Sequence, residues 1–269
     1  MFELVKSALQ KTSLYPAAKE LYRVTWKRSF ISNRKRLTDF YRPLVPENAI
    51  VFDVGANRGE FADAFLRLGA TVYAVEPHPT CTKELKALYG HDRKFNLVDC
   101  ALGSAPGEAL LYLGENGMDN VSTLSEDYRR DAKRLPGLAV AGWNQSIPVR
   151  VDTLDHLVDR YGTPDFCKID VEGYEIEVLR GLHQPLPLLQ FEYQPWSVDK
   201  AVECVEHLCA QSSYRFNITM SEGREDDAAL QPDWSSPEEI IALLRSVVAK
   251  SNCVGDVFVS SRSPTSLSP

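Results

Sequence analysis

The sequence predicts an α/β fold in which a largely parallel sheet is covered by helices on both faces. Two observations support this prediction. Strand and helix patterns alternate from residue 50 onward, and the buried strand pattern of residues 50–54 ends in a glycine turn that leads directly into a helix pattern. Parallel strands need crossover connections, which are usually helices, so the alternation indicates βαβ units. With 269 residues and 44% hydrophobic content, the chain can form one domain with a substantial core.

The individual elements follow from the hydrophobic period and from start and stop residues. Strand patterns cover residues 50–54, 71–75, 95–100, 109–113, 149–151, 165–169, 188–193, 215–219 and 256–260. Helix patterns cover residues 60–68, 80–89, 153–161, 172–182 and 198–211, and a capped start at Ser236-Pro237 begins another. Residues 114–147 lack strand periodicity, and an irregular segment of that length is typically a functional insertion or a lid.

The N-terminal segment differs in composition from the rest of the chain. Residues 1–42 hold ten Lys/Arg and three Asp/Glu, whereas the whole chain has a net charge of −7. We predict a basic helical arm over residues 1–45, one domain over 46–260 and a flexible tail over 261–269. A basic arm could contact an anionic membrane, an acidic partner or the domain itself, and a solvated or self-docked arm is the simplest expectation.

Composition also argues against several classes of protein. A net negative charge disfavours nucleic-acid binding, and no apolar run is long enough to span a bilayer. The six cysteines form no C-x-x-C pair, and several lie within apolar patterns. This usage predicts a reducing, cytoplasmic location and no zinc site.

The turn after the first strand predicts a nucleoside-containing cofactor. Gly55 and Gly59 make the turn, and the second strand ends at Glu76, where an acid can bind a ribose diol. The G-x-x-x-G spacing lacks the glycine that lets a backbone approach a pyrophosphate. Asp53 would also repel a pyrophosphate, but it could pair with the ammonium group of S-adenosylmethionine (SAM). Asn57 or backbone N–H groups could hold the carboxylate of that cofactor.

Five blocks of this sequence resemble the FkbM-type methyltransferases. They are FDVGANRGEF (52–61), YAVEPHP (73–79), NLVDCALG (96–103), TLDHL (153–157) and KIDVEGYEIEVLRG (168–181), and the last is the most characteristic. The resemblance covers residues 50–195. It implies a Rossmann-like, doubly wound, mostly parallel seven-stranded sheet with a terminal antiparallel strand, and SAM as the methyl donor. It also implies O-methylation of sugars or other hydroxylated metabolites. It places around the cofactor Asp53, Gly55, Asn57 and Glu76, and near the adenine Asp99, Cys100 and Ala101.

Three carboxylates are expected to meet at the carboxyl ends of two strands. Asp170 and Glu172 follow one strand, and Glu192 lies near the end of the next. In a doubly wound sheet these ends open into the ligand crevice. Asp170 or Glu192 could accept the proton of a hydroxyl acceptor, or the two could bind Mg²⁺ or Ca²⁺. Glu172 could instead simply favour the start of a helix, where a carboxylate is stabilised by the helix dipole.

Other residues are candidates for the acceptor side of the site. His78 could contact adenine or substrate, and Asn120 and Ser122 could belong to a lid over the site. An aromatic platform for a sugar ring could be formed by Trp143, Tyr193 and Trp196.

The sequence therefore favours a SAM-dependent O-methyltransferase that acts on a small hydroxylated or glycosidic acceptor. Two other classes stay open. One is an oxidoreductase that uses NAD or a nucleotide sugar on the same fold, and the glycine spacing counts against it. The other is a non-catalytic module that keeps the cofactor pocket, and the three carboxylates count against that.

Overall fold

The computed structural model describes residues 34–115, 118–132, 142–221, 229–248 and 254–261, and its centre is a seven-stranded sheet. Strand numbers follow the chain. From one edge of the sheet to the other, the strands are β3 (Phe95–Val98), β2 (Thr71–Val75), β1 (Ile50–Val54), β7 (Phe166–Ile169), β8 (Leu188–Tyr193), β10 (Val254–Ser260) and β9 (Arg215–Ser221). The pairs are parallel except those of β10 with β8 and β9. This confirms the predicted mostly parallel sheet with a terminal antiparallel strand.

A second sheet was not expected. It has three strands in the order β4 (Ala101–Leu102), β6 (Gln145–Asp152) and β5 (Gly107–Leu113). The predicted strand of residues 95–100 is split because β3 ends at Val98, and the N–H of Cys100 turns back to the Val98 carbonyl at 3.0 Å. Glu108, Gln145 and Ser146 at the outer ends of β5 and β6 are exposed and polar, so the sequence shows only a shorter apolar part of each strand.

Helices cover both faces of the main sheet. They are α1 (34–41), α2 (Glu60–Arg67), α3 (Pro79–Tyr89), α4 (Glu126–Ala132), α5 (Leu154–Tyr161), α6 (Glu175–Arg180), α7 (Val198–Gln211) and α8 (Pro237–Leu243), with a π turn at Leu244–Val248. Two short 3₁₀ turns lie at Asp119–Val121 and Pro195–Ser197. The predicted helix start at Ser236 is a capping box in which Ser236 and Glu239 exchange hydrogen bonds.

Helix α6 begins three residues later than the sequence indicates. Glu172 and Gly173 both have positive φ values, 56° and 85°, so the chain makes a tight turn before the helix. Glu175 stabilises this turn, because its Oε1 accepts the N–H groups of Val171 and Gly173 at 3.1 and 3.0 Å. The turn leaves Glu172 outside the helix and at the end of β7, where it faces a cavity.

Glu175→Gln is expected to stabilise the protein at pH 8 and to change little at pH 5. Burial raises the pKa of Glu175 from 4.5 to about 7. A raised folded-state pKa gives stability that is complete below pH 4.5 and is lost as the pH rises through about 7. Gln stays neutral and can still accept both N–H groups. The gain at pH 8 should approach about 3 kcal/mol, at about 1.4 kcal/mol per pKa unit.

Urea unfolding at the two pH values measures this effect. Glu108→Gln, at an exposed position on β5, is the matched control and should change stability at neither pH. An equal change in the free energy of unfolding at pH 5 and pH 8 would contradict the raised pKa of the buried Glu175 carboxyl group.

The end of the predicted arm packs into the hydrophobic core. Leu37, Tyr41, Leu44 and Val45 are buried in one cluster with β1 and α2, and the Tyr41 hydroxyl donates to Gln190 Oε1 at 2.8 Å. Residues 34–45 are therefore integral to the packing of the domain. The rest of the arm, with its proposed membrane contact, and residues 262–269 of the tail lie outside the described residues.

Within the described ranges, none of the helices combines the length and the apolar character needed to cross a membrane.

Candidate active site at the carboxyl ends of the strands

A cavity of about 650 Å³ opens at the carboxyl ends of β1, β2, β7 and β8. Its walls come from the β1–α2 loop, the end of β2, residues 100–102, the segment 119–124 and the loop after β7. Helix α1 and the neighbouring ends of β9 and β10 close the opposite end. The lining thus joins the predicted cofactor turn and the predicted carboxylates in one continuous space.

The β1–α2 turn is shaped by positive φ angles. Gly55 has φ 83°, and a Cβ there would overlap the carbonyl oxygen of Asp170, so the turn packs directly against the end of β7. Asn57, with φ 48°, lines the cavity. Gly59 has φ 86° and does not line it. A Cβ on Gly59 would lie 2.7 Å from Leu85 and from Tyr89, so this glycine permits the close packing of α2 on α3.

Glu76 is held in a fixed position on the cavity wall. It is 6% exposed, and its two oxygens accept the N–H groups of Asn57 and His78, each at 2.7 Å. Burial raises the pKa of Glu76 to about 7, and the two N–H donors oppose that rise. The predicted acid at the end of β2 therefore lies at the cavity with an orientation fixed by backbone donors.

Asp53 lies beneath the cavity and does not line it. Its side chain is fully buried, and its strand position is in register with Lys168 on β7. Burial raises the pKa of Asp53 to about 6, and the positive charge of Lys168 opposes that rise. Any effect of Asp53 on a ligand is consequently indirect.

One end of the cavity has an apolar wall. It is formed by Cys100, Ala101, Leu102, Leu111 and Leu124, which suits a flat ring such as adenine.

Asp99, which the family resemblance places near the adenine, points away from that wall. Its side chain is 58% exposed and lies 3.7 Å from the ammonium of Lys86.

The segment 118–125 forms part of the cavity wall. Arg58 fixes one end of it, because Nη2 donates to Asp119 at 2.6 Å while Nη1 contacts Glu84 at 3.0 Å. Thr123 fixes the other end by donating to the Glu172 carbonyl at 2.7 Å. The two lid candidates, Asn120 and Ser122, both line the cavity. The Arg58–Asp119 pair joins residues 61 positions apart, and no sequence pattern signals it.

The three predicted carboxylates meet at the cavity. One oxygen from each of Asp170, Glu172 and Glu192 lies within 4.8 Å of the others. Burial and the nearby charge of Asp170 raise the pKa values of Glu172 and Glu192 well above the ordinary value. Gln194 donates to Glu192 Oε2 at 2.5 Å. Crowding of this kind is typical of groups that take up or release protons in a reaction.

A buried lysine supports this cluster. Lys168 is 1% exposed, and its Nζ donates to Asp170 Oδ2 at 2.7 Å and lies 3.9 Å from the centre of the Phe61 ring. Neighbouring carboxylates raise the pKa of Lys168 above its ordinary value despite its burial. The ammonium therefore orients Asp170 and compensates its charge. Sequence reasoning gave Lys168 no role of its own, because its contacts depend on strand order.

Two other predicted site residues lie away from the cavity. His78 caps α3, where its Nδ1 accepts the N–H of Thr80 at 3.1 Å. Trp196 packs with Tyr128 and Trp143 in a separate hydrophobic cluster.

The expected aromatic platform is therefore not formed. Trp143 is buried and donates to the Val121 carbonyl at 2.9 Å. Tyr193 is buried in another cluster and donates to the Thr219 carbonyl at 3.1 Å. All three aromatic side chains are used in packing, and none lines the cavity.

A sheet with the order β3-β2-β1-β7-β8-β10-β9, a glycine turn after β1 and a buried acid after β2 define the class of Rossmann-like folds that bind nucleoside-containing cofactors. The sequence profile of the Methyltransferase FkbM domain matches residues 53–246. The chain therefore belongs to the FkbM methyltransferase family, whose methyl donor is SAM.

Individual relatives are more distant. The chain is 29% identical to Methyltransferase sdnD of Sordaria araneosa over 162 residues, which are 52% of this chain and 62% of that protein. Among solved structures, it is similar to a TehB-like SAM-dependent methyltransferase from Corynebacterium glutamicum, with 14% identity, a TM-score of 0.42 and coverage of 91% of this chain and 100% of that one. It is also similar to precorrin-6y C5,15-methyltransferase from Geobacter metallireducens, with 12% identity, a TM-score of 0.41 and coverages of 85% and 86%.

Proposed function

We propose that this protein transfers a methyl group from SAM to a hydroxyl oxygen of a sugar, a glycan or another small hydroxylated metabolite. The observation that carries the proposal is the cluster of Asp170, Glu172 and Glu192 in the same cavity as the β1–α2 turn and Glu76. An alcohol must lose a proton when it is methylated, and a cluster of carboxylates beside the donor site can accept one.

The donor end of the cavity fits SAM. The Gly55 turn presents backbone without a side chain, and Glu76 offers fixed carboxylate oxygens to ribose hydroxyls. The apolar wall that includes Ala101 and Leu102 suits the adenine ring. When bound there, SAM supplies a methyl group activated by a cationic sulfur. Asp53, beneath this end, adds negative charge that favours a cationic ligand over a pyrophosphate.

Glu76→Gln is expected to weaken the binding of S-adenosylhomocysteine at least tenfold. The Gln amide can accept only one of the two N–H groups that Glu76 accepts, and its NH₂ group would face the other donor. A loss of about 1.4 kcal/mol corresponds to the tenfold change.

Isothermal titration calorimetry measures that affinity. The matched control is Asp99→Asn, which removes an exposed charge outside the cavity and should leave the affinity unchanged. A greater loss of affinity for S-adenosylhomocysteine in the Asp99 variant than in the Glu76 variant would show that the ribose does not bind at the end of β2.

Asp170 is the residue that we propose as the base. Lys168 holds its Oδ2, and the Asp170 side chain lines the cavity. Bound SAM would supply the methyl group and would leave as S-adenosylhomocysteine, and Asp170 would take the proton that the acceptor hydroxyl loses as its oxygen is methylated. Glu192 is the second candidate for this role, because it lines the same end and its raised pKa makes it a stronger base once ionised.

A divalent cation is a second candidate role for the cluster. Three carboxylate oxygens within 4.8 Å of one another fit the oxygen ligands that Mg²⁺ and Ca²⁺ prefer, and Asp170, Glu172 and Glu192 would hold the ion. Such an ion would polarise the acceptor hydroxyl. Turnover in EDTA separates the two roles: unchanged turnover supports the base, and loss that Mg²⁺ restores supports the metal.

The proposed reaction is tested by labelled methyl transfer. The protein is incubated with SAM labelled in the methyl group and with a small-molecule extract of the source organism, and the labelled product is identified. A product in which NMR shows the labelled methyl carbon bonded to nitrogen or sulfur would reject transfer to oxygen. Binding of NAD without binding of SAM would instead favour the oxidoreductase alternative.

A further inference from the structure

The cavity extends well past the donor site, and this second end has a distinct composition. It is lined by α1, by the start of α2 and by the ends of β8, β9 and β10. Since Glu76 and the apolar wall that includes Ala101 and Leu102 belong to the donor end, this second end is the space left for the methyl acceptor. The carboxylate cluster lies between the two ends.

The floor of the acceptor end is a polar row across four adjacent strands. Glu192 on β8 is in register with Asp256 on β10, which is in register with Thr219 on β9. Asp170 continues the row, because Lys168 is in register with Gln190 and each of the two acids follows by two residues. Residues in register on neighbouring strands project from the same face, and strands lie about 4.8 Å apart, so the row spans about 14 Å.

Carboxyl oxygens, which accept hydrogen bonds, dominate the polar row. Three of its four members are carboxyl groups, and the Thr219 hydroxyl already donates to Asp256 at 3.4 Å. Glu60 adds a further acid to the lining. Lys168 lies under the row, is 1% exposed and is bonded to Asp170. A ligand on this floor must therefore supply hydrogen-bond donors.

Positive charge in the lining is scarce at this end. Among the described residues that line the cavity, the Lys/Arg side chains are Arg36 on α1 and Arg58. Arg58 belongs to the donor end, where Asp119 and Glu84 hold it. A phosphate or other anion would consequently face a floor of acids with one arginine nearby, and like charges that lie close together disfavour binding.

Apolar side chains line the same end of the cavity. Leu37, Phe40 and Phe61 belong to this lining, and Phe40 is half-buried against Phe258, with ring centres 5.9 Å apart. Apolar side chains beside a row of acceptors match a ring that has carbon–hydrogen faces and hydroxyl or amino groups at its edge.

We propose that the acceptor is a ring polyol without negative charge, such as a neutral or amine-bearing sugar, which lies on the polar row beneath α1. This inference rests on the proposed function and names its substrate class. It assigns Asp256 on β10 and Phe40 on α1 as specificity residues, and it excludes phosphorylated and nucleotide-linked acceptors.

Saturation-transfer NMR on the full chain, saturated with S-adenosylhomocysteine, tests the proposal. The probes are methyl α-glucosaminide, methyl α-glucoside and glucose 6-phosphate at equal concentration, with MgCl₂ and again with EDTA. The first two should show saturation at least threefold above that of the phosphate. The preference is the ratio of the saturation of methyl α-glucosaminide to that of glucose 6-phosphate. Asp256→Asn should lower this ratio at least threefold. If that variant does not fold, Glu60→Gln, at a helix start rather than in the sheet, should shift the preference in the same direction.

Equal or stronger saturation of glucose 6-phosphate would overturn the proposal, as would absence of saturation for all three probes. An unchanged preference for the amine-bearing probe in both Asp256→Asn and Glu60→Gln would also overturn the proposal. Because binding is measured without turnover, the correct order of binding combined with no methyl transfer would reject the proposed reaction alone.

Discussion

Gly55→Ala is expected to lower the free energy of unfolding by about 3 kcal/mol or more and to abolish SAM binding. Gly55 has φ 83°, and a Cβ there would overlap the backbone carbonyl of Asp170. Left-handed backbone costs a residue with a side chain about 1 kcal/mol, and overpacking against backbone costs about 1–3 kcal/mol more. The turn must shift away from β7, so the donor site and the carboxylate cluster should lose their alignment together.

Thermal unfolding and calorimetry with S-adenosylhomocysteine measure the two effects. About 3 kcal/mol corresponds to a fall in Tm of roughly 6–12 °C for a domain of this size. Gly107→Ala is the matched control, because a Cβ at Gly107 meets nothing within 4 Å. Equal Tm values and equal affinities for S-adenosylhomocysteine in the two variants would contradict the close contact between the β1–α2 turn and the end of β7.

Asp170→Asn is expected to lower kcat by about 10²–10⁴-fold, the usual contribution of a general base, while the affinity for S-adenosylhomocysteine changes less than about threefold. Asn cannot accept the proton of the acceptor hydroxyl. Initial-rate kinetics with labelled SAM measure the loss, and Asp159→Asn, at an exposed position on α5, serves as the control. Wild-type turnover in Asp170→Asn would remove Asp170 as the base and leave Glu192 as the candidate.

The same variant should also affect stability, because it leaves the buried ammonium of Lys168 without its carboxylate partner. Breaking a fully buried pair on one side costs about 3–5 kcal/mol, and the loss here should be smaller because the Asp170 side chain is 25% exposed. The double variant Lys168→Met with Asp170→Asn should recover none of the turnover, and little of the stability, because buried Asp53 then loses the nearby charge of Lys168. Recovery of turnover in the double variant would show that the loss in the single variant came from misfolding.

The meeting of the β1–α2 turn and Glu76 at one cavity could be predicted well because its signals are local in sequence. A buried strand, a glycine turn and an acid at the end of the next strand lie within residues 50–76, and parallel pairing of β1 with β2 brings them together. Asp53 was the exception. Its position before the turn indicates a charge near the cofactor, but strand alternation points its side chain beneath the cavity, toward Lys168.

The carboxylate cluster was predictable in its members and not in its geometry. Asp170 and Glu192 follow adjacent parallel strands, so their meeting follows from strand order. The position of Glu172 does not, because acids favour the first turn of a helix and nothing in one sequence signals a positive φ at that residue.

The acceptor end could not be predicted, because it depends on long-range register. Asp256 meets Glu192 only through the antiparallel pairing of β10 with β8. The sequence pattern assigns α1 to a basic arm, because the charge excess of residues 1–42 masks the apolar side of this helix. Tyr41 and Leu37 show that this helix is packed into the core and borders the cavity.

The central claim is that the cavity between the β1–α2 turn and Glu76 binds SAM, and calorimetric titration tests it most directly. The account predicts saturable binding of SAM and S-adenosylhomocysteine to the full chain, at least a tenfold loss of affinity in Glu76→Gln, and no binding of NAD. Absence of heat with both adenosyl ligands, or saturable binding of NAD at this cavity, would contradict it.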